Sequence, residues 1–183
     1  MILKMQVQAQ KIGVNAMKKL IMINGTMGVG KTSVSTELLK MLTPGVYLDG
    51  DWCWYMHPFE VTEETKKMVL DNITYLLRNF LSCSQYSYVI FSWVMHEESI
   101  LDWIVDGLTG LEFELHKFSL VCTESALTER LQKDIASGRR EGDIIERSVA
   151  RLPLYRQMNT IKIDVSSISA VEAAEMIKEA VEK

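Results

Sequence analysis

The sequence has only three cysteines and three prolines in 183 residues. It also lacks any apolar run near the ~20 residues that a membrane-crossing helix needs. Cys53, Cys83 and Cys122 follow no metal-ligand spacing. An odd number of cysteines in a chain of this size fits reduced thiols in the cytosol, not a disulfide framework. A basic excess is missing too: 20 Lys and Arg face 24 Asp and Glu, for a net charge of −4. Phosphate-backbone binding needs a basic surface to displace counterions, so no nucleic acid polymer is expected as partner. Residues 1–16 carry neither the long apolar core nor the cleavage site of a signal peptide. Met17 is followed at once by Lys18, Lys19 and an apolar run, which makes Met17 the expected start and residues 1–16 a leader or extended start. With no repeat, linker or low-complexity stretch, residues 17–183 are expected to form one domain. The expected protein is cytoplasmic, a monomer or homodimer, with no membrane partner.

What is present is an alternation of strand and helix signals. Leu20-Ile21-Met22-Ile23 is a short unbroken apolar run, the pattern of a parallel strand buried on both faces. Residues 31–42 carry Val34, Leu38, Leu39 and Leu42 at helical spacing, and Thr43-Pro44-Gly45 stops them. Residues 46–48 predict a second strand. A helix follows from Thr62, its N-cap, to about Ser84, with Thr65 where a capping box usually has Glu. Strands are predicted over 88–94 and within 113–122, and helices over 97–108 and 124–136. A further helix over 143–157 is interrupted by Pro153. Residues 161–164 predict a fifth strand, and Ser169 caps a closing amphipathic helix built on Val171, Ala174, Ile177 and Val181. The expected fold is α/β, a three-layer sandwich with a five-stranded, mostly parallel sheet covered on both faces.

Between the first strand and helix, Gly25-Thr26-Met27-Gly28-Val29-Gly30-Lys31-Thr32 matches G-x-x-x-x-G-K-[ST] at every fixed position, with the strand and helix that the motif requires. Glycines allow backbone N–H groups to turn inward around phosphate oxygens, and the helix N-terminus adds its positive end. Residues Gly25 to Thr32, with Ser33 behind them, are therefore the expected nucleotide contacts. Lys31 is expected to reach the β- and γ-phosphates of ATP, and Thr32 to offer its hydroxyl to Mg²⁺.

The second strand runs into Asp49-Gly50-Asp51, two carboxylates at a strand's C-terminal end, where ligands sit in open α/β sheets. If that strand lies beside the first, both carboxylates face the loop. One can hold the metal through water while the other deprotonates an acceptor hydroxyl. The third strand carries Ser92 and Trp93 where many P-loop proteins place a metal-side aspartate, which counts against a motor or transporter ATPase. The absence of an N-K-x-D run disfavours a GTPase.

This combination of P-loop, Asp-Gly-Asp and a short arginine-bearing loop in a small chain resembles the small P-loop kinases related to nucleoside-monophosphate, shikimate and gluconate kinases. It is also similar to antibiotic phosphotransferases such as chloramphenicol phosphotransferase. The resemblance runs from Lys18 to the C-terminus in order and spacing. It implies a nucleotide kinase-like fold and transfer of the γ-phosphoryl group of ATP, with Mg²⁺, to a small-molecule acceptor. Asp49 would be the metal-side aspartate with Thr32, and Asp51 the base. Residues 138–143 resemble a lid that brings Arg139 and Arg140 to the phosphates. Arg147 and Arg151, one helical turn apart, can point the same way; Arg130, on the preceding helix, reads as structural. A nucleotide-binding ATPase switch without a small acceptor is the competing reading.

Residues 51–59 are unusually aromatic, and Ser92-Trp93-Val94-Met95-His96 ends the third strand. Aromatics at a pocket edge stack on planar ligands, which favours a nucleoside, nucleotide or aromatic drug-like acceptor over a sugar acid. The same residues would equally serve as a hydrophobic cluster packed on the core.

Overall fold

The computed structural model describes residues 17–140 and 143–183. The expected leader therefore lies outside the described residues, as do Glu141 and Gly142 of the expected lid. In chain order the elements are β1 (Lys18–Asn24), α1 (Lys31–Met41), β2 (Gly45–Asp49), a 3₁₀ turn (Gly50–Trp54), α2 (Glu63–Ser82), β3 (Tyr88–Ser92), α3 (Glu98–Asp106), β4 (Phe113–Val121), α4 (Glu124–Ala136), α5 (Ile144–Ala150), α6 (Leu152–Gln157), β5 (Ile161–Asp164) and α7 (Ala170–Val181).

All strand pairings are parallel, in the order β2-β3-β1-β4-β5. The apolar run of β1 lies at the centre because it can be buried on both sides: Leu20, Ile21, Met22 and Ile23 are all within 1% of complete burial. Alternation then divides the core. Ile21 and Ile23 join Val34 and Leu38 of α1 and Ala174, Ile177 and Val181 of α7. Leu20 and Met22 face Val69, Ile73 and Leu77 of α2 and Leu101 and Ile104 of α3. Two helical layers enclose one sheet, the expected three-layer α/β sandwich. Among the described residues, no helix is long and apolar enough to cross a membrane.

Two local expectations need correction. β2 does not lie beside β1; β3 is inserted between them, and Asp49 pairs in register with Ser92. The helix expected over 143–157 breaks at Arg151, not at Pro153. Pro153 falls in the first turn of α6, where a missing N–H costs no helical hydrogen bond. Thr65, by contrast, does complete the capping box of α2: Thr62 Oγ1 accepts from Thr65 N, and Thr62 N donates to Thr65 Oγ1 at 2.8 Å.

Candidate active site

Three helices, α2, α4 and α7, begin with a side-chain cap from Thr62, Thr123 and Ser169. Helix α1 does not. Its N-cap is Gly30 in the left-handed region, with no side-chain cap and no acidic residue in the first turn. The first N–H groups of α1 thus remain available to an anion, and the helix dipole is not neutralised locally. The loop itself can only be built with glycine at Gly28. Its φ is +80°, and a Cβ there would sit 2.4 Å from a methyl carbon of Leu131 on α4. The loop is also tied down from outside: Thr26 Oγ1 donates to Ser148 O of α5 at 2.8 Å.

Lys31 folds back over this loop, its ammonium donating to Gly25 O at 2.9 Å and Thr26 O at 3.0 Å. Burial lowers its pKa to about 8, a shift opposed by the charges of Asp51 and Asp49 and reinforced by Arg140. The two aspartates are thus electrostatic neighbours of Lys31, although β2 is a strand further away than expected. The turn after β2 brings them in. Asp49 caps the 3₁₀ turn, its Oδ1 accepting from Asp51 N at 3.1 Å. Asp49 Oδ2 accepts from Thr32 Oγ1 at 2.8 Å and from the Tyr47 hydroxyl at 2.9 Å. Asp49 is buried, whereas Asp51 is exposed to the cleft. Burial in that cleft and the charge of Asp49 raise the pKa of Asp51, against the opposing pull of Lys31, the Trp93 indole and Arg140.

Gly50, between the two aspartates, is a packing requirement that the sequence did not disclose. A Cβ there would lie 2.5 Å from the Trp93 indole ring, and Trp93 is itself buried. Gly50→Ala is expected to cost about 1–3 kcal/mol through overpacking and to displace both carboxylates. Thermal unfolding with ATP titration measures the two effects separately.

These groups open into a cleft of about 1210 Å³. One wall is the loop from Met27 to Val34; Asp51, Trp54, Tyr55, Phe59, Trp93 and His96 form another. Arg130, Arg139, Arg140, Arg147 and Arg151 also face it. Arg139 and Arg140 are both held by Asp134 of α4, at 2.9 and 3.3 Å. Arg147 pairs with Asp143 at 3.3 Å. Arg130 does more than stabilise its helix. It donates to Val29 O at 3.1 Å and to Val165 O, joining the loop to the segment after β5. Sequence separations of 101 and 35 residues left no local signal for that clamp. His96 lines the cleft, and burial together with Arg151 lowers its pKa.

The aromatic segment divides between the two roles considered for it. Trp54 packs on the core and meets Phe59 with ring centroids 5.9 Å apart. Tyr55 is 99% and Phe59 65% exposed, and both line the cleft.

A family model described as AAA domain matches residues 21–151, from β1 through α5. The chain belongs to this family. As an AAA-domain chain it has the loop, the Asp-Gly-Asp turn and the arginine-bearing segment inside the matched region. No curated protein matches its sequence. Among solved structures, a gluconokinase from Sinorhizobium meliloti 1021 superposes with a TM-score of 0.65 at 19% identity, covering 92% of this chain and 96% of that one. The tunicamycin resistance protein of Deinococcus radiodurans gives 0.66 at 20% identity over 90% and 95%. The APS kinase of Mycobacterium tuberculosis, solved with AMPPNP and APS, gives 0.65 at 13% over 92% and 100%. At such identities the likeness is one of fold, and this AAA-domain chain has the P-loop small-molecule kinase fold.

Proposed function

We propose that the protein transfers the γ-phosphoryl group of ATP to a hydroxyl or phosphate oxygen of a small, planar acceptor, as one kinase domain over residues 17–183. The observation that carries this reading is the meeting of Thr32, Asp49, Asp51 and Lys31 at one end of the cleft. A nucleotide and its metal fit these residues. Gly28 holds the left-handed turn that closes the loop against Leu131, and α1 presents uncapped N–H groups to the phosphates. Thr32 Oγ1 and Asp49 Oδ2 are two oxygen donors 2.8 Å apart. Among the described residues no trio of His, Cys, Asp and Glu could cage a metal. That suits Mg²⁺, which is usually held by one or two protein oxygens, phosphate and water. When bound, Mg²⁺ neutralises charge on the β- and γ-phosphate oxygens.

The chain's own residues then have distinct tasks. Lys31 leaves the Gly25 and Thr26 carbonyls for phosphate oxygens, and Arg139 and Arg140 stabilise charge spreading over the transferred group. For a hydroxyl acceptor, Asp51 accepts its proton while a new oxygen–phosphorus bond forms and the bond from the γ-phosphorus to its bridging oxygen breaks, leaving ADP. Tyr55 and Phe59 offer a stacking edge. Three free thiols suit a reducing compartment such as the cytosol.

A second reading, a nucleotide-driven switch without an acceptor, draws on the AAA family description. Against it stands Asp51, a second carboxylate facing the cleft that a switch without an acceptor leaves without a task. An acceptor screen decides between them. ADP release from Mg-ATP is followed alone, then with nucleosides, nucleotides, sugar acids and aromatic antibiotics. A kinase should turn over ATP at least about tenfold faster with its acceptor. Turnover that no acceptor changes would leave the switch.

A further inference from the structure

Tyr47 and Asp49 are two residues apart on β2, so their side chains leave the same face of the sheet, the one covered by α1. Ser92 of β3 is the register partner of Asp49 and is fully buried. The three side chains converge. The Tyr47 hydroxyl donates to Asp49 Oδ2 at 2.9 Å and lies 2.7 Å from Ser92 Oγ. A phenol carries one proton. Once that proton is given to Asp49, the Ser92 hydroxyl must be the donor to the phenolic oxygen. Thr32 Oγ1 also gives its proton to Asp49 Oδ2, at 2.8 Å, which leaves the threonine oxygen's lone pairs free to ligate a cation. The direction of donation therefore runs from Ser92 through Tyr47 to Asp49, and meets there the donation from Thr32.

We propose that Tyr47, braced by Ser92, is a positioning residue for the metal-side carboxylate: it fixes Asp49 in the orientation that lets the Thr32–Asp49 pair receive Mg²⁺. The proposal rests on the phosphotransfer reading only in assuming that the site takes Mg-ATP. It also gives a physical account of the missing aspartate at the end of β3. In this chain the metal-side carboxylate is Asp49 of β2, and its register partner on β3, Ser92, is the hydroxyl that steadies it through Tyr47. A carboxylate that turned freely about its last bond would have to be ordered at each binding event. Here three donors have already ordered it, and outer-shell partners of this kind commonly change metal affinity by about 10–100-fold. The competing account is that a buried phenol merely finds the nearest acceptor.

Tyr47→Phe separates the two accounts, since it keeps the ring that packs against the α1-side core. The full chain is titrated with ATP by calorimetry, once in EDTA and once with Mg²⁺, and Mn²⁺ binding in the presence of ATP is read by electron paramagnetic resonance. Expected for Tyr47→Phe are ATP affinity in EDTA within about twofold of wild type and Mn²⁺ affinity lowered about tenfold. Ser92→Ala should move Mn²⁺ affinity in the same direction by less. Unchanged Mn²⁺ affinity in Tyr47→Phe overturns the proposal. So does an equal loss with and without metal, accompanied by a lower melting temperature, which would make Tyr47 a core residue only. If wild type binds no ATP even with Mg²⁺, the phosphotransfer reading itself fails, a result separate from either of these.

Discussion

Lys31→Met is expected to weaken ATP binding at least about 100-fold, roughly 2.7 kcal/mol, and to abolish acceptor phosphorylation. The ammonium is the one side-chain cation built into the loop, and its present partners are carbonyls of that same loop. A phosphate oxygen offers the ammonium an opposite full charge in addition to the hydrogen bond, which the carbonyls do not. The depressed pKa adds a signature that simple loss of a contact lacks. In the free protein Lys31 titrates near 8, below the ordinary 10.5. As pH rises through 8 the free protein loses that proton, yet phosphate favours the charged form. Binding must then be accompanied by proton uptake, and affinity should fall by up to about tenfold per pH unit above 8. Calorimetry in buffers of different ionisation enthalpy reads the uptake directly; Lys31→Met should show none. The linkage to stability has the opposite sign. Between about 8 and 10.5 the unfolded chain holds more protons at this residue than the folded one, so Lys31 makes free wild type gain stability with pH there. Lys31→Met should lack that gain in a pH series of unfolding curves. If the variant bound Mg-ATP as wild type does, the nucleotide site would have been placed wrongly.

Much of this arrangement is legible in the residues taken in order, because the informative features are local. The loop is a contiguous motif. The two-sided burial of β1 follows from an apolar run with no polar alternation, and the caps at Thr62, Thr123 and Ser169 precede their helices as capping chemistry requires. What escaped was everything that depends on strand order. Periodicity cannot say that β3 is inserted between β1 and β2, so Ser92 read as a missing aspartate when it is the neighbour of Asp49. Tyr47 could have been found, since a residue two positions before Asp49 on a strand must share its face. The Arg130 clamp and the packing of Gly50 on Trp93 could not, as each joins segments distant in sequence. Arg139 and Arg140 were legible as part of a charged loop, but their common partner Asp134 lies on the preceding helix, outside the loop pattern.

Asp51→Asn is the complementary experiment, expected to lower kcat by about 10²–10⁴-fold while leaving ATP affinity within about threefold. The geometry separates the two aspartates before any measurement. Asp49 is buried and accepts from Thr32, Tyr47 and the Asp51 backbone, so its oxygens are already engaged and turned away from an acceptor. Asp51 faces the cleft, and burial with the Asp49 charge raises its pKa. A carboxylate with a raised pKa is a stronger proton acceptor, and it stays ionised above that pKa. The acid limb of the kcat/KM profile should therefore lie above the ordinary carboxylate range, with activity lost as pH falls through it. Asparagine keeps the shape but cannot take the proton, so that limb should vanish with the rate. Persistence of both the rate and the acid limb in Asp51→Asn would remove Asp51 as the base. Loss of ATP affinity together with the rate would assign it to nucleotide binding instead. Asp49→Asn is expected to behave differently, since it disturbs the pair that receives Mg²⁺. Its defect should appear in metal dependence and be partly relieved by raising Mg²⁺, a rescue that cannot restore a missing base.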